Sequence, residues 1–263
     1  MKLSPGKSVY KTGTKPTTGE GLSFTDGELD NAINHRVAPL LRDDKGKAAI
    51  ATLLAGVAST NFATAALKTA LETPVQTQDW HVGEAFADAY LTDHCECHFP
   101  WPVGRDLRNV AASPAGADLV GFQKHTGTSR FAFGEVKTST DATYPPNVMT
   151  GRHGMIAQLE ELRDGAVTKN QLMIYLGHRA PGAAWHKAFV EAATRLLADP
   201  ADISLFGILV RDVAPGDMDL KNRTAALAKN CPAKSSIELR SLYFPAKSIA
   251  AFAAKVAAAP KAK

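Results

Sequence analysis

The spacing of apolar residues predicts a helical N-terminal part. From Asp26 to Thr73 the apolar positions recur with a helical period, and breaks are predicted near Asp43–Lys45 and at Gly56. A second helix is predicted from Trp80 to Thr92. Its apolar face comprises Val82, Ala85, Phe86, Ala89 and Tyr90.

The pattern then changes to that of strands. Residues 94–101 alternate in polarity, and two strand-like runs, Gly116–Lys124 and Arg130–Thr138, are joined by a short turn-rich link that predicts a hairpin. The continuous apolar run Ile203–Val210 indicates a buried central strand. Further predicted elements are helices at Gly154–Arg163, Thr168–His178 and Ala183–Ala198, a strand at Ser236–Phe244 and an Ala/Lys-rich last helix. This order predicts an α/β (α+β) fold with a mixed central β-sheet flanked by helices.

Three units are predicted along the chain. Residues 1–24 are rich in Gly, Thr, Lys and Pro without periodicity, which predicts a flexible arm. Residues 25–75 form a helical extension, and residues 76–263 form the main domain. The twenty uncharged residues between Lys47 and Lys68 are rich in Ala and interrupted by Thr, Ser and Asn, so a buried helix is favoured over a membrane span.

Composition adds a compartment and a charge distribution. The three cysteines and the N-terminus, which lacks an apolar signal segment, favour a cytoplasmic protein. The net charge of +4 conceals basic ends, since residues 216–263 carry nine Lys/Arg against three Asp/Glu. These ends are compatible with nucleic-acid contact, but charge alone favours simple solubilisation.

Two carboxylates and one amine are expected to meet on the predicted hairpin. Asp118 lies at the start of its first strand and Glu135 near the end of the second, so the two acids are expected to lie side by side. Alternation places Lys137 on the same face as Glu135. Carboxylate oxygens suit Mg²⁺, and a neighbouring lysine can orient a water and offset charge on a phosphate. The trio therefore suits phosphodiester hydrolysis, whereas an exposed Glu135–Lys137 ion pair is the structural alternative.

These residues carry a family resemblance. Gly116-Ala117-Asp118, sixteen intervening residues and then Glu135-Val136-Lys137 resemble the signature of the PD-(D/E)XK nuclease superfamily, although Ala117 stands where proline is usual. Gln171 and Tyr175 match the Q-x-x-x-Y element of nucleases similar to the RecB exonuclease domain and Cas4. Glu84, which follows Gly83 on the helix before the sheet, falls where many members place an extra acid.

The resemblance implies an activity and a role for each residue. Asp118 and Glu135, with Glu84, would hold Mg²⁺ or Mn²⁺, and Lys137 would position the attacking water of a deoxyribonuclease with a restriction-endonuclease-like core. Gln171 and Tyr175 would position the phosphate or the catalytic residues. Glu84 could instead stabilise a helix N-terminus, and Gln171 and Tyr175 could be an ordinary amphipathic pair.

A second cluster of potential metal ligands lies at His94-Cys95-Glu96-Cys97-His98. On a strand, Cys95 and Cys97 would face one way and the other three residues the opposite way, so neither face offers four tetrahedral ligands. Structural zinc is therefore disfavoured, although one of the histidines could lie near the nuclease metal. The chain has no phosphate-binding G-x-x-x-x-G-K-[ST] loop, so no ATPase of its own is expected.

The arrangement of the predicted units along the chain also predicts a protein partner. The compact nuclease with a hydrophobic helical extension looks like the small nuclease subunit of bacterial antiphage systems such as Hachiman, where a helicase holds the nuclease. This implies DNA as substrate and a helicase or ATPase as partner. The alternatives are a repair or restriction nuclease, or a catalytically idle nuclease fold that binds DNA or assembles with other proteins.

Overall fold

The protein is an α/β fold built on one seven-stranded mixed sheet, in agreement with the predicted fold class. The computed structural model describes residues 1–72, 77–101 and 116–260. Across the sheet the strands follow the order β1-β2-β7-β6-β5-β4-β3. Their bounds are β1 Lys7–Thr14, β2 Thr17–Ser23, β3 Cys97–His98, β4 Leu119–His125, β5 Thr128–Ser139, β6 Ile203–Arg211 and β7 Ser236–Tyr243.

Helices cover both faces of the sheet. Helix α1 (Asp26–Ala32) continues through a π-helical turn (Ile33–Val37) into α2 (Ala38–Leu41). The remaining helices are α3 Asp44–Leu54, α4 Asn61–Leu71, α5 Asp79–His94, α6 Met155–Asp164, α7 Ala166–Gly177, α8 His186–Ala198, α9 Lys221–Ala228 and α10 Phe252–Ala258. One apolar core lies between the sheet and α1, α5 and α10. The other lies between the sheet and α6 to α9.

The central strands follow from their sequence pattern. Every residue of β6 is buried, as its continuous apolar run predicts. Strand β6 pairs in parallel with both β5 and β7. The β4–β5 hairpin is also confirmed, and its connection is only Thr126-Gly127, with positive φ at both residues. The carboxyl ends of β5, β6 and β7 consequently lie at one edge of the sheet.

The prediction of a flexible arm over residues 1–24 was wrong. Strands β1 and β2 form an antiparallel hairpin, and β2 pairs in parallel with β7. The Tyr10 ring occupies the space above Gly21, and its hydroxyl lies 2.9 Å from that of Tyr243. The pattern hides this hairpin because β1 is a largely exposed edge strand, so its polar and small residues show no apolar alternation.

The helical extension divides into two differently packed parts. Its predicted breaks are confirmed, because helix is interrupted between Leu41 and Asp44 and again after Leu54. Leu29, Ile33 and Val37 belong to the core of the main sheet. Helices α3 and α4, by contrast, bury none of their residues, so the prediction of a buried helix in this uncharged stretch was wrong.

Two further differences lie near the sheet edge and the C-terminus. The predicted strand over 94–101 was mostly wrong, since His94 ends α5 and only Cys97–His98 pairs with β4. Helix α9 was not predicted.

None of the helices within residues 1–72, 77–101 and 116–260 is long and apolar enough to cross a membrane. The predicted end of the helical extension at residue 75 lies outside the described residues.

Candidate active site

The register of the β4–β5 hairpin brings Asp118 next to Glu135. Leu119 pairs with Gly134, so Asp118, which directly precedes β4, is level with Glu135. The Asp118 amide donates to the Gly134 carbonyl at 2.9 Å. Its carboxylate oxygen Oδ2 accepts from the amide of Val136 at 2.8 Å. These two bonds fix the Asp118 carboxylate against the backbone of β5.

Glu135 and Lys137 lie together on one face of β5, while Val136 packs in the core on the other face. The Glu135 side chain is 1% exposed, and its Oε1 accepts from Lys137 Nζ at 2.6 Å. Burial, and then the charge of Asp118, raise the pKa of Glu135 to about 7, although Lys137 opposes the shift. Burial and the charge of Asp118 therefore disfavour the ionised form of the Glu135 carboxyl group.

Glu84 approaches the same cluster from α5. A side chain on the preceding residue, Gly83, would place its Cβ 2.1 Å from Thr138 Oγ1, so the glycine allows α5 to lie directly on β5. Burial, followed by the charges of Asp118 and Glu135, raises the pKa of Glu84 to about 9. Such coupling shows that the three carboxylates share one electrostatic environment.

The close packing of Gly83 on Thr138 was not anticipated from the sequence. A glycine within the predicted helix is the signal that could have found it, because glycine inside a helix is unfavourable unless a close approach requires it. Thr138 itself carries no comparable signal. The contact of Thr138 with Gly83 becomes evident only from the packing of α5 on β5.

Gln171 and Tyr175 are less closely tied to the cluster than Glu84 is. Helix α7 reaches this region through Thr168 and Leu172, which lie nearest to Gly116. Gln171 is exposed. Tyr175 is half-buried beneath the guanidinium of Arg179, which lies 4.1 Å from the centre of the tyrosine ring.

The segment His94–His98 forms hydrogen bonds in the structure, mostly through its backbone carbonyls. The carbonyl of Cys95 accepts from Gln123 Nε2 at 3.0 Å, and that of Glu96 accepts from the amide of Lys124. His94 Nε2 lies 3.0 Å from the carbonyl of Leu3. Burial raises the pKa of the Cys95 thiol to about 12. Cys95 and Cys97 are both free cysteines.

The chemistry of the acidic cluster fits a hard divalent cation. Glu84, Asp118 and Glu135 offer only oxygen donors, which are the ligands that Mg²⁺ prefers. Burial, and then the charges of the neighbouring acids, raise the pKa values of Glu84 and Glu135, and a bound cation would favour the ionised form of both. As the side chains stand, no three His, Cys, Asp or Glu residues in the described ranges are arranged to hold a metal ion. One oxygen each of Asp118 and Glu135 is engaged by Val136 and Lys137.

Comparison with known proteins adds no relative to this picture. No protein-family model matches the chain, and no curated protein matches it. The residues of the cluster and their resemblance to the nuclease signature are therefore the features that support a function.

Proposed function

We propose that the protein is a cytoplasmic, metal-dependent nuclease that hydrolyses DNA phosphodiester bonds. The observation that carries the proposal is the shared environment of Glu84, Asp118 and Glu135 beside the ammonium of Lys137. Buried acids with strongly raised pKa values are uncommon away from functional sites, because their burial is unfavourable to folding. The same four residues are those that resemble the PD-(D/E)XK signature.

Each side chain has a distinct task in this reaction. Glu84, Asp118 and Glu135 would hold Mg²⁺ or Mn²⁺, which supplies Lewis-acid activation of the scissile phosphate. Asp118 is preset by the backbone of Val136. Lys137, whose side chain is 21% exposed, donates hydrogen bonds to the attacking water and to the negative charge that develops on the phosphate oxygens. Gln171 and Tyr175 lie on α7 and contribute to substrate positioning.

Helices α3 and α4, together with the turn that joins them, form the α3–α4 hairpin (residues 44–71). Its exposed apolar residues support a protein partner for this nuclease. Leu53, Val57 and Phe62 are 78%, 75% and 85% exposed. Apolar exposure of this kind is typical of interaction surfaces. In the proposed setting the partner is a helicase or ATPase and the complex is an antiphage effector. Purification of the native protein tests this, because recovery as a lone monomer with unrestrained DNA cleavage would contradict it.

Cleavage assays test the proposed chemistry. Wild-type protein is incubated with plasmid, linear double-stranded and single-stranded DNA, and with RNA, in Mg²⁺, in Mn²⁺ and in EDTA. We expect metal-dependent cleavage of DNA that falls at least 100-fold in Glu135→Ala and in Lys137→Ala. Lys124→Ala, which removes an exposed lysine from the neighbouring β4, is the matched control and should cleave normally. Equal cleavage by all four proteins, or none by the wild type, would contradict the proposal.

A further inference from the structure

Helix α6, rather than α7, covers the strand position beside Glu135. In the sheet Glu135 is paired with Gly207 of β6. A side chain on Gly207 would place its Cβ 2.8 Å from Leu159 Cδ1 and 2.9 Å from Met155 Sδ. Both of these residues belong to α6, so the first turns of α6 lie over the sheet at the level of Glu135.

The orientation of α6 is fixed by Arg163. Its guanidinium donates to the carbonyl of Leu227 in α9 at 3.2 Å, so this flank of α6 faces α9. Helix α9 in turn packs over β1 and β2, where Thr224 lies against Gly19. In the strand order, β5 is on the opposite side of β6 from β2. The other flank of α6 therefore faces β5.

Gln158 lies on the flank that faces β5. It is five residues before Arg163, which corresponds to about 140° around a helix, and it lies between Met155 and Leu159 along the axis. Its side-chain oxygen Oε1 is buried and has no hydrogen-bond partner among the described residues. A buried amide oxygen without a donor is unfavourable, and such groups in folded proteins call for an explanation.

We propose that Gln158 is the amide that positions the attacking water next to Glu135 and Lys137, with its Oε1 accepting a hydrogen bond from that water. This inference rests on the proposed nuclease function. Gln158 as a whole is half-buried, and the proposed role requires its side chain to turn so that Oε1 reaches this water. Lys137 and Gln158 then hold the water as donor and acceptor, which orients its lone pair towards phosphorus. The exposed Gln171 does not take this role.

Steady-state cleavage by Gln158→Met, by Gln171→Met as the competing glutamine, and by the control Lys124→Ala tests the assignment. Methionine keeps the length and unbranched shape of glutamine but cannot form the hydrogen bond. For Gln158→Met we expect kcat to fall at least 10-fold in Mg²⁺ with KM for DNA within twofold of the wild type. We expect an unchanged or higher thermal midpoint, because an unpartnered buried acceptor is removed. The control Lys124→Ala, whose exposed side chain lies outside the proposed machinery, should leave kcat unchanged.

Two outcomes separate the inference from the function beneath it. If the wild type cleaves DNA, Glu135→Ala does not, and Gln158→Met retains the wild-type kcat, the positioning role is overturned while the nuclease proposal stands. A larger loss in Gln171→Met than in Gln158→Met overturns it in the same way. If the wild type cleaves no substrate in either metal, both proposals are overturned together. A fall in thermal midpoint matched by equal losses in kcat and in folded protein would assign Gln158 a purely structural role.

Discussion

The acidic cluster and the α3–α4 hairpin depart from ordinary packing in opposite directions. In the cluster, Glu135 is 1% exposed and shares its environment with other acids. In the hairpin, Phe62 is 85% exposed and neither helix buries a residue. Burial of charge opposes folding, and apolar side chains that remain exposed contribute nothing to it, so neither region is explained by stability alone. The proposed function assigns chemistry to the first region and association to the second.

The largest expected difference between the two regions is in packing energy. Phe86 of α5 is fully buried in the core beside the cluster, whereas Phe62 of α4 is exposed. We expect Phe86→Ala to lower the free energy of unfolding by about 3–5 kcal/mol. Phe62→Ala should change it by less than about 0.5 kcal/mol. Chemical denaturation of the two variants measures both values, and a large loss for Phe62→Ala would mean that the hairpin is part of the folded core.

The second prediction concerns the dependence of stability on pH. Glu84 has a pKa of about 9 in the folded protein against 4.5 as the reference value. Between these values the unfolded chain is ionised and the folded chain holds the proton, so stability falls as pH rises from about 5 to 9. Glu84→Gln should remove much of this slope and stabilise the protein at pH 7 by about 2 kcal/mol.

Thermal melts of wild type and Glu84→Gln between pH 5 and 9 check this. A variant at an exposed acid, Glu161→Gln, serves as the control and should keep the wild-type slope. Parallel curves for wild type and Glu84→Gln would show that the cluster does not strain the fold.

A smaller effect is expected from the glycine that seats α5. Gly83→Ala brings a methyl group against Thr138, and we expect a loss of about 1–2 kcal/mol in stability together with impaired cleavage, because Glu84 is displaced. Gly27→Ala in α1 is the matched control, since nothing lies within 4 Å of its added methyl group. That change should stabilise the protein by about 0.5 kcal/mol. Equal stability and equal cleavage in the two variants would show that Gly83 is not required to position α5 and Glu84.

The sequence predicted the parts of the fold whose periodicity is strong. The buried strand β6, the β4–β5 hairpin and the apolar face of α5 all follow from local patterns, and so does the meeting of Asp118 and Glu135. The β1–β2 hairpin could not be predicted in this way. Its stability comes from pairing with β7, which is more than 200 residues away in sequence, rather than from its own pattern.

The contributions of separate helices to the site were also beyond local patterns. Gln158 has no motif, and its proposed position beside Glu135 is inferred from the packing of α6 across Gly207. Gln171 fits a motif but is exposed. Likewise, the uncharged composition of α3 and α4 suggested burial, because sequence alone does not tell whether an apolar surface meets its own core or a partner.

Calorimetric titration of Mn²⁺ into the wild-type protein at pH 7 tests the central claim most directly. In two buffers of different ionisation enthalpy, we expect saturable binding with release of protons, because the pKa values of about 9 for Glu84 and about 7 for Glu135 leave both acids partly or fully protonated at this pH. The affinity should increase with pH, and Asp118→Asn with Glu135→Gln should abolish binding. Absence of saturable binding to the wild type, or equal binding by the double variant, would contradict the assignment of this cluster as a hydrolytic cation site.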